Sequence, residues 1–545
     1  MHVIIVGAGP SGAAAASRIS ALQPAARVTL LESADRVGGR TLSGPLAGAS
    51  TCDLGGQWLG SRQSAALSVA RDLDLTLHPQ YCKGKRVLDL RNAVSTYTGL
   101  IPNASLSVLV DAQLLLVLVD LVRFFLWLFP GGVLARWADA TTVEDLTRRI
   151  MWTVGGRVLV GIVVQGLFGC EASDLSVNAF CRYVNASGSV EAMTECGPRT
   201  LQEWTVVGGT QQLTAGLLSR AGSTSVFLGH RVTGIKRRDG GGVRVECEVT
   251  TSGAAGNGVT NSNTAAFDAD FIIVAIPPPR AAAIAFDPPL DAARIALMTG
   301  ARMGGIIKSI AAFESAFWRA DGFSGEVIAD TSDGSNVPVF NVFDNCVPSS
   351  TNSVASERNA RGPAAGIRVT HANGVEGLQP SLVIFINGER AREWSARPSA
   401  ERRTAVLAQL ARYFGPRALT PVSYVERDWV VDGHTGGCPI ASYNRGVLGA
   451  FGLSRKIAEP AWQERAAGTT IARLHFAGTE AALESTGFID GAIRAGWSAG
   501  DAVVADAATL TRAGGVATTV VSNADVTTHI DLESGAVTRD KKLLG

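Results

Sequence analysis

Residues 2–41 read HVIIVGAGPSGAAAASRISALQPAARVTLLESADRVGGRT, and this stretch decides the fold. Val3 to Val6 is an apolar run, Gly7 to Gly12 a turn, Ala13 to Ala21 helical in composition, and Val28 to Leu31 a second apolar run that ends on Glu32. Strand, glycine turn, helix and strand in direct succession make a βαβ opening, and with it a parallel sheet. Gly7, Gly9 and Gly12 have GxGxxG spacing, which permits a tight turn and brings backbone N–H groups close to a pyrophosphate. Glu32 then stands where a carboxylate accepts hydrogen bonds from the ribose hydroxyls of a dinucleotide and disfavours a 2′-phosphate. The bland alternative for Glu32 is an ordinary strand-end carboxylate.

The continuation Asp35-Arg36-Val37-Gly38-Gly39-Arg40-Thr41 separates flavin from nicotinamide, because it adds a second glycine pair and two guanidiniums able to neutralise a pyrophosphate. Here the sequence resembles the flavin-dependent amine oxidase superfamily, which includes monoamine, polyamine and L-amino acid oxidases. The likeness continues through Asp53 to Gly60 (DLGGQWLG), Trp204 to Gln211 (WTVVGGTQ), Val232, Ile273 to Pro278 (IVAIPP), Phe476 to Glu480 (FAGTE) and Gly487 to Ala492, so it covers about residues 1 to 508. The resemblance implies FAD as cofactor. It assigns to FAD Gly7, Gly9, Gly12, Glu32, Gly39, Arg40, Gly56, Gln57, Trp58 and Val232, together with Trp429, Cys438, Gly478, Thr479, Glu480, Phe488 and Ile489.

Within Met303-Gly304-Gly305-Ile306-Ile307-Lys308, Lys308 matches the family lysine that holds a water against flavin N5. A lysine in so apolar a run needs a partner, and burial would depress its pKa; the alternative is a strand-end lysine that snorkels to solvent. Cys438, in Thr435-Gly436-Gly437-Cys438, resembles the monoamine oxidase cysteine that carries a thioether to the flavin 8α carbon, or else is a small buried thiol. Trp429 reads as packing under the flavin ring or as plain core. Monoamine oxidases place two tyrosines around the amine, and this chain departs at both positions: Pro439 follows the cysteine, and Phe488 occupies the second site, leaving one aromatic wall. Lys308 and Phe488 are therefore the residues expected nearest the chemistry.

Arg62 fits poorly the place where an L-amino acid oxidase holds its substrate carboxylate. Glu203, Glu314 and Glu484 are the acidic candidates for a polyamine tunnel, each weighed against a solvated or paired surface group, and His434 and His475 read as structural. The expected reaction is hydride transfer from a substrate C–N bond to flavin N5, giving an imine, with O2 reoxidising the flavin to give H2O2. Two alternatives stand beside it: a flavin C–C dehydrogenase of the protoporphyrinogen oxidase or desaturase type, and a flavin-bound interaction protein without amine oxidase activity.

The whole-chain numbers bound the other classes. The 49 Lys plus Arg against 48 Asp plus Glu give a net charge of +1, so no electrostatic footprint for nucleic acid exists. With 46% hydrophobic and 18% charged residues over 545 positions, the chain is globular rather than disordered. Its eight cysteines form no CxxC pair and no regular framework, so no metal site and no disulfide scaffold are expected. The opening MHVIIVGAG reads as a strand rather than a targeting peptide, and the cytoplasm is the expected location.

Leu106 to Leu134 is very apolar, yet Asp111, Asp120 and Arg123 interrupt it. A buried or interface helix is expected, with an Asp120–Arg123 pair at i, i+3 and membrane contact through 106–134 as the lesser reading. A homodimer is left open. The expected architecture is α/β (an α+β composite): a discontinuous Rossmann-like FAD-binding domain over 1–95, 205–290 and 430–510, and a mixed-sheet and helical substrate-binding domain over 96–204 and 291–429. Helix-rich sequence is expected from about Ala65, with Val143 to Phe168 as a helical stretch. Thr250 to Asn263 reads as a hairpin tip, Asn345 to Gly377 as an irregular surface insertion, and 511–545 as a polar, frayed tail.

Overall fold

The computed structural model describes residues 1–47, 50–90, 93–99, 105–250, 262–331, 337–348, 355–370, 376–448, 457–466, 468–512, 528–530 and 537–539. They form two compact units: Met1–Arg40 with Gln211–Gly300 and Leu453–Gly545, and Thr41–Thr210 with Ala301–Gly452.

The first unit is built on the opening motif. His2–Val6 pairs in parallel with Arg27–Leu31 on one side and Phe271–Val274 on the other. Thr224–Phe227 and Thr469–Phe476 extend the parallel sheet, and Ala461–Ala466 closes it antiparallel, for six strands in all. Val3, Ile4 and Ile5 are fully buried, as a parallel strand covered on both faces requires; each such side chain contributes roughly 1.5–3 kcal/mol on burial. The helix Pro10–Leu22 starts with proline at its first position, where the missing N–H costs nothing. Its alanines permit close packing of the long helix Ile489–Arg512: a Cβ on Gly496 would lie 2.2 Å from the Ser11 carbonyl oxygen.

A four-stranded sheet in the same unit contains His230–Arg237, Val243–Thr250 and Ser262–Ala269. The last two pair antiparallel as the expected hairpin, whose tip lies outside the described residues. Most of the polar 511–545 tail also lies outside them; Thr528–Ile530 and Val537–Arg539 pair with each other.

The second unit has a seven-stranded mixed sheet in the order Ser423–Asp428, Ile306–Ala312, Ser381–Asn387, Asn341–Asp344, Phe323–Ala329, Lys85–Leu90, Ala93–Tyr97. A five-stranded sheet and five helices between Leu106 and Ser187 accompany it. The helix-rich region therefore begins later than expected. After Ser64–Asp72 the chain forms the strands Thr76–Pro79, Lys85–Leu90 and Ala93–Tyr97, all three incorporated into sheets of this unit. For that reason the compact units divide the chain at 40 and 210, where the sequence reading drew its boundaries at 95 and 204.

Val143 to Phe168 is two helices, Val143–Ile150 and Val154–Phe168, because Thr153 caps the second by accepting from the Gly156 N–H, an interaction worth about 1 kcal/mol. Asp111 fixes this break, accepting from the Thr153 N–H at 2.9 Å and its hydroxyl at 2.5 Å. Asp120 and Arg123 form the expected pair at 2.8 Å on the helix Leu106–Leu128. Among the described residues no helix is long and apolar enough to cross a membrane.

Candidate active site

In the first unit the glycine turn is shaped as a cradle. Gly7 has φ +99°, and a Cβ there would meet Ile276 at 2.7 Å; a Cβ on Gly12 would lie 1.9 Å from the Gly7 carbonyl oxygen. A Cβ on Gly9 would lie 3.8 Å from the Gly39 Cα and 3.9 Å from the Gly38 oxygen, ordinary contact distances. Two glycine segments thirty residues apart thus face each other as bare backbone, the surface a pyrophosphate needs. Glu32 is buried, and its carboxylate accepts from the Ala8 and Ala34 N–H groups, both at 2.8 Å. It is thereby held rigidly at the strand end, and its spare lone pairs suit a ribose diol.

Arg40 and Glu480, both expected against the cofactor, meet each other in a bidentate pair of 2.6 and 2.9 Å. Arg36 donates to the Gly39 and Val37 carbonyls. Both guanidiniums therefore brace the glycine turn, and the Arg40 charge is shared with a carboxylate instead of being directed wholly at phosphate. Around the C-terminal motif, the Gly478 N–H donates to the Ser11 hydroxyl at 2.8 Å, which ties it to the first turn of the opening helix. Thr479 donates to the Phe488 carbonyl at 2.9 Å and accepts from the Gly487 N–H at 2.7 Å. Phe488 is half-buried in the turn that leads into the helix starting at Ile489. Val232 is buried at a bulge in His230–Arg237. His475 is buried against Asp506 at 3.2 Å, a structural contact.

In the second unit Lys308 sits on a strand paired on both sides and is 2% exposed. Its Nζ donates to the Gly55 carbonyl at 2.8 Å and to Gln57 Oε1 at 2.6 Å, so the snorkelling reading does not hold. Desolvation lowers its pKa to about 8, with the nearby Asp53 carboxylate pulling the other way. Burial raises Asp53 to about 6, opposed by Lys308 and by hydrogen bonds from Ser43 and Thr210. Each group thus favours the charged form of the other in a dry setting, without a direct contact between them.

Gln57 donates onward to Asn345 at 3.1 Å, and Asn345 to Ser381 at 3.1 Å. Phe385 stands directly across from Lys308 in the strand register, 5.4 Å from its Nζ to the ring centre. Trp58 packs edge-on against Phe343 at 5.4 Å and lies 5.9 Å from the Lys308 Nζ. Gly56 belongs to the same turn, where its carbonyl accepts from Thr210 at 2.5 Å. Trp429 is fully buried, donates to the Leu54 carbonyl at 2.9 Å and carries the Arg427 guanidinium over its ring at 5.2 Å. The Cys438 N–H donates to the Gly304 carbonyl at 3.1 Å; its side chain is half-buried and influences the charge on Lys308.

Glu203 is bonded to Ser61, Glu314 is exposed, and Glu484 pairs at the surface with Arg494. None of the three lies buried and ready for a cation. Phe343, Asn345 and Phe385 escaped the sequence reading as site residues, and Asp53 appeared only as the first residue of a quoted motif, with no role of its own. The Lys308–Phe385 juxtaposition depends on strand pairing, and Asn345 lies at the start of a segment that had looked irregular.

Comparison with known proteins agrees with this chemistry. The model of the flavin containing amine oxidoreductase family matches residues 10–504. The chain belongs to that family: it is an FAD-dependent oxidoreductase that acts on amines. Among its relatives is a protein of Mycobacterium tuberculosis provisionally named flavin-containing monoamine oxidase AofH, 31% identical over 514 residues, covering 93% of this chain and 97% of that one. Putrescine oxidase of Kocuria rosea is 29% identical, covering 91% and 93%. The solved cyclohexylamine oxidase of Brevibacterium oxydans has a TM-score of 0.74 at 26% identity and covers 93% of this chain and 99% of that chain.

Proposed function

We propose that this amine oxidase acts on small primary monoamines bearing an apolar group. The carrying observation is the set of side chains around Lys308: Trp58, Phe343 and Phe385 are aromatic, and the buried carboxylate that acts on its charge, Asp53, already accepts from Ser43 and Thr210. A diamine needs a second anion for its distal ammonium, and Glu203, Glu314 and Glu484 do not offer one. The named substrates of the relatives, monoamines, putrescine and cyclohexylamine, bracket this class.

The first unit would hold FAD through the Gly7–Gly12 turn, Gly39, Arg40, Glu32, Val232 and the Gly478–Glu480 segment, with Phe488 and Ile489 leading into the final helix. When bound, the flavin would supply the redox chemistry, taking the hydride of the amine's α C–H bond as C–N becomes C=N and passing two electrons to O2. Gln57 and the Gly55 carbonyl hold the Lys308 ammonium in one orientation, and Asp53 keeps it protonated near neutral pH. A fixed cation in a dry site stabilises developing negative charge, which supports a role for Lys308 in reoxidation. Cys438 would carry a thioether to the flavin 8α carbon; its half-buried position on a turn bonded to Gly304 supports this. Eight free thiols suit a reducing cytoplasm.

The test is peroxide formation with matched amines. Cyclohexylamine or benzylamine should give kcat/KM at least roughly tenfold above putrescine, which lacks an anion to receive its second charge. A preference for putrescine would overturn the monoamine assignment.

A further inference from the structure

The most conspicuous surface feature lies away from Lys308, on the helix Leu106–Leu128. Its inner side packs into the unit through Leu115, Val119, Val122 and Leu126, all buried. Its outer side carries Val110, Leu114, Val117, Leu121, Phe124 and Leu128, each between 44% and 53% exposed. Their spacing alternates four and three residues without a break, which is the seam of a helix that packs on another helix. Trp127 and Phe125 flank the seam, 71% and 44% exposed. A monomer seldom leaves so large an apolar face in water.

We propose that this face is the interface between two copies of the chain, formed by antiparallel packing of the helix on itself about a two-fold axis. One register satisfies the whole seam: Val110 meets Leu128 of the second copy, Leu114 meets its Phe124, and Val117 meets its Leu121. In that register a smaller side chain faces a larger one at all three contacts, and each contact is repeated by symmetry. The ends match as well. Thr153 is bonded to Asp111, so Trp152, 59% exposed, stands beside the N-terminal end of the helix. Antiparallel packing brings the aromatic C-terminal end of the second copy toward it.

The outward parts of these side chains amount to roughly 1,000 Å² per protomer, against the ~800 Å² each partner brings to a standard stable interface. Asp120, the one charged side chain beside the seam, already has Arg123 as counter-ion at 2.8 Å. A lipid surface fits less well. Helices that lie on membranes carry Lys and Arg along their polar side, whereas here that side is packed into the protein and the helix has a single basic residue.

The test uses the full-length holoenzyme and its solution mass by light scattering and sedimentation. The wild type should have twice the 56.7 kDa chain mass. Leu121→Glu and Val117→Glu should each shift it to the single-chain mass with flavin content unchanged, while Leu116→Glu, an exposed position off the seam, leaves the two-chain mass. A single-chain wild type, or a two-chain species untouched by both seam variants, overturns the proposal. So does a single-chain protein that co-sediments with phosphatidylserine vesicles, which would assign the face to a lipid surface.

Discussion

Lys308 donates to Gln57 across 2.6 Å, with both side chains buried on one unit of the protein. Gln57 in turn donates to Asn345, so the amide is locked with its oxygen toward the ammonium. Lys308→Met keeps the volume and removes the charge. We expect reoxidation of the reduced enzyme by O2 to slow by about 10²-fold, the size of effect seen when one preorganised electrostatic group is lost. Reduction by amine should change far less, and stopped-flow measurement of the two half-reactions separates them.

The same charge gives a pH dependence with a definite sign. Lys308 is a cation below about 8 and neutral above it, so the oxidative rate should fall as pH rises through that value. Asp53 is the carboxylate that supports the cation. Asp53→Asn removes that support, so the falling limb should move to lower pH, and Lys308→Met should abolish it. A limb unchanged in both variants would assign it to another group.

Arg40 and Glu480 join two motifs 440 residues apart through a bidentate pair whose carboxylate side is 2% exposed. Glu480→Gln leaves the guanidinium with a neutral partner. The expected loss is about 3 kcal/mol, at the low end for a buried pair because Arg40 keeps some contact with water. Thermal unfolding of the holoenzyme and the flavin content after dialysis should both register it.

Gly12 tolerates no side chain, because a Cβ would lie 1.9 Å from the Gly7 carbonyl. Gly12→Ala should therefore distort the turn and yield colourless protein. Circular dichroism checks that the rest of the chain still folds.

If Cys438 carries the flavin, acid precipitation of the wild type leaves the yellow colour in the pellet, and Cys438→Ala releases it to the supernatant. Release from both proteins would remove the thioether from the account.

The first unit was legible because its signals are local. The strand His2–Val6, the glycine turn and the helix from Pro10 are contiguous, and Gly7 and Gly12 each have a steric reason. The Lys308 site was half legible. Gln57, Asn345 and Phe385 reach Lys308 by strand register and tertiary packing, which no local pattern encodes. The segment Asn345 to Gly377 looked irregular because Ser356–Arg358 and Arg368–Thr370 are too short for alternation to register, yet both belong to a five-stranded sheet. The Asp120–Arg123 pair was visible at once, since helix spacing alone brings i and i+3 together.

The most direct test of the central claim is an anaerobic titration of the purified yellow protein with cyclohexylamine or benzylamine. The account predicts that the flavin bleaches with one equivalent of amine per flavin, and that admitting oxygen restores the colour and releases one equivalent of H2O2. A flavin that no amine bleaches, but that a C–C dehydrogenation substrate such as a porphyrinogen does, would contradict it.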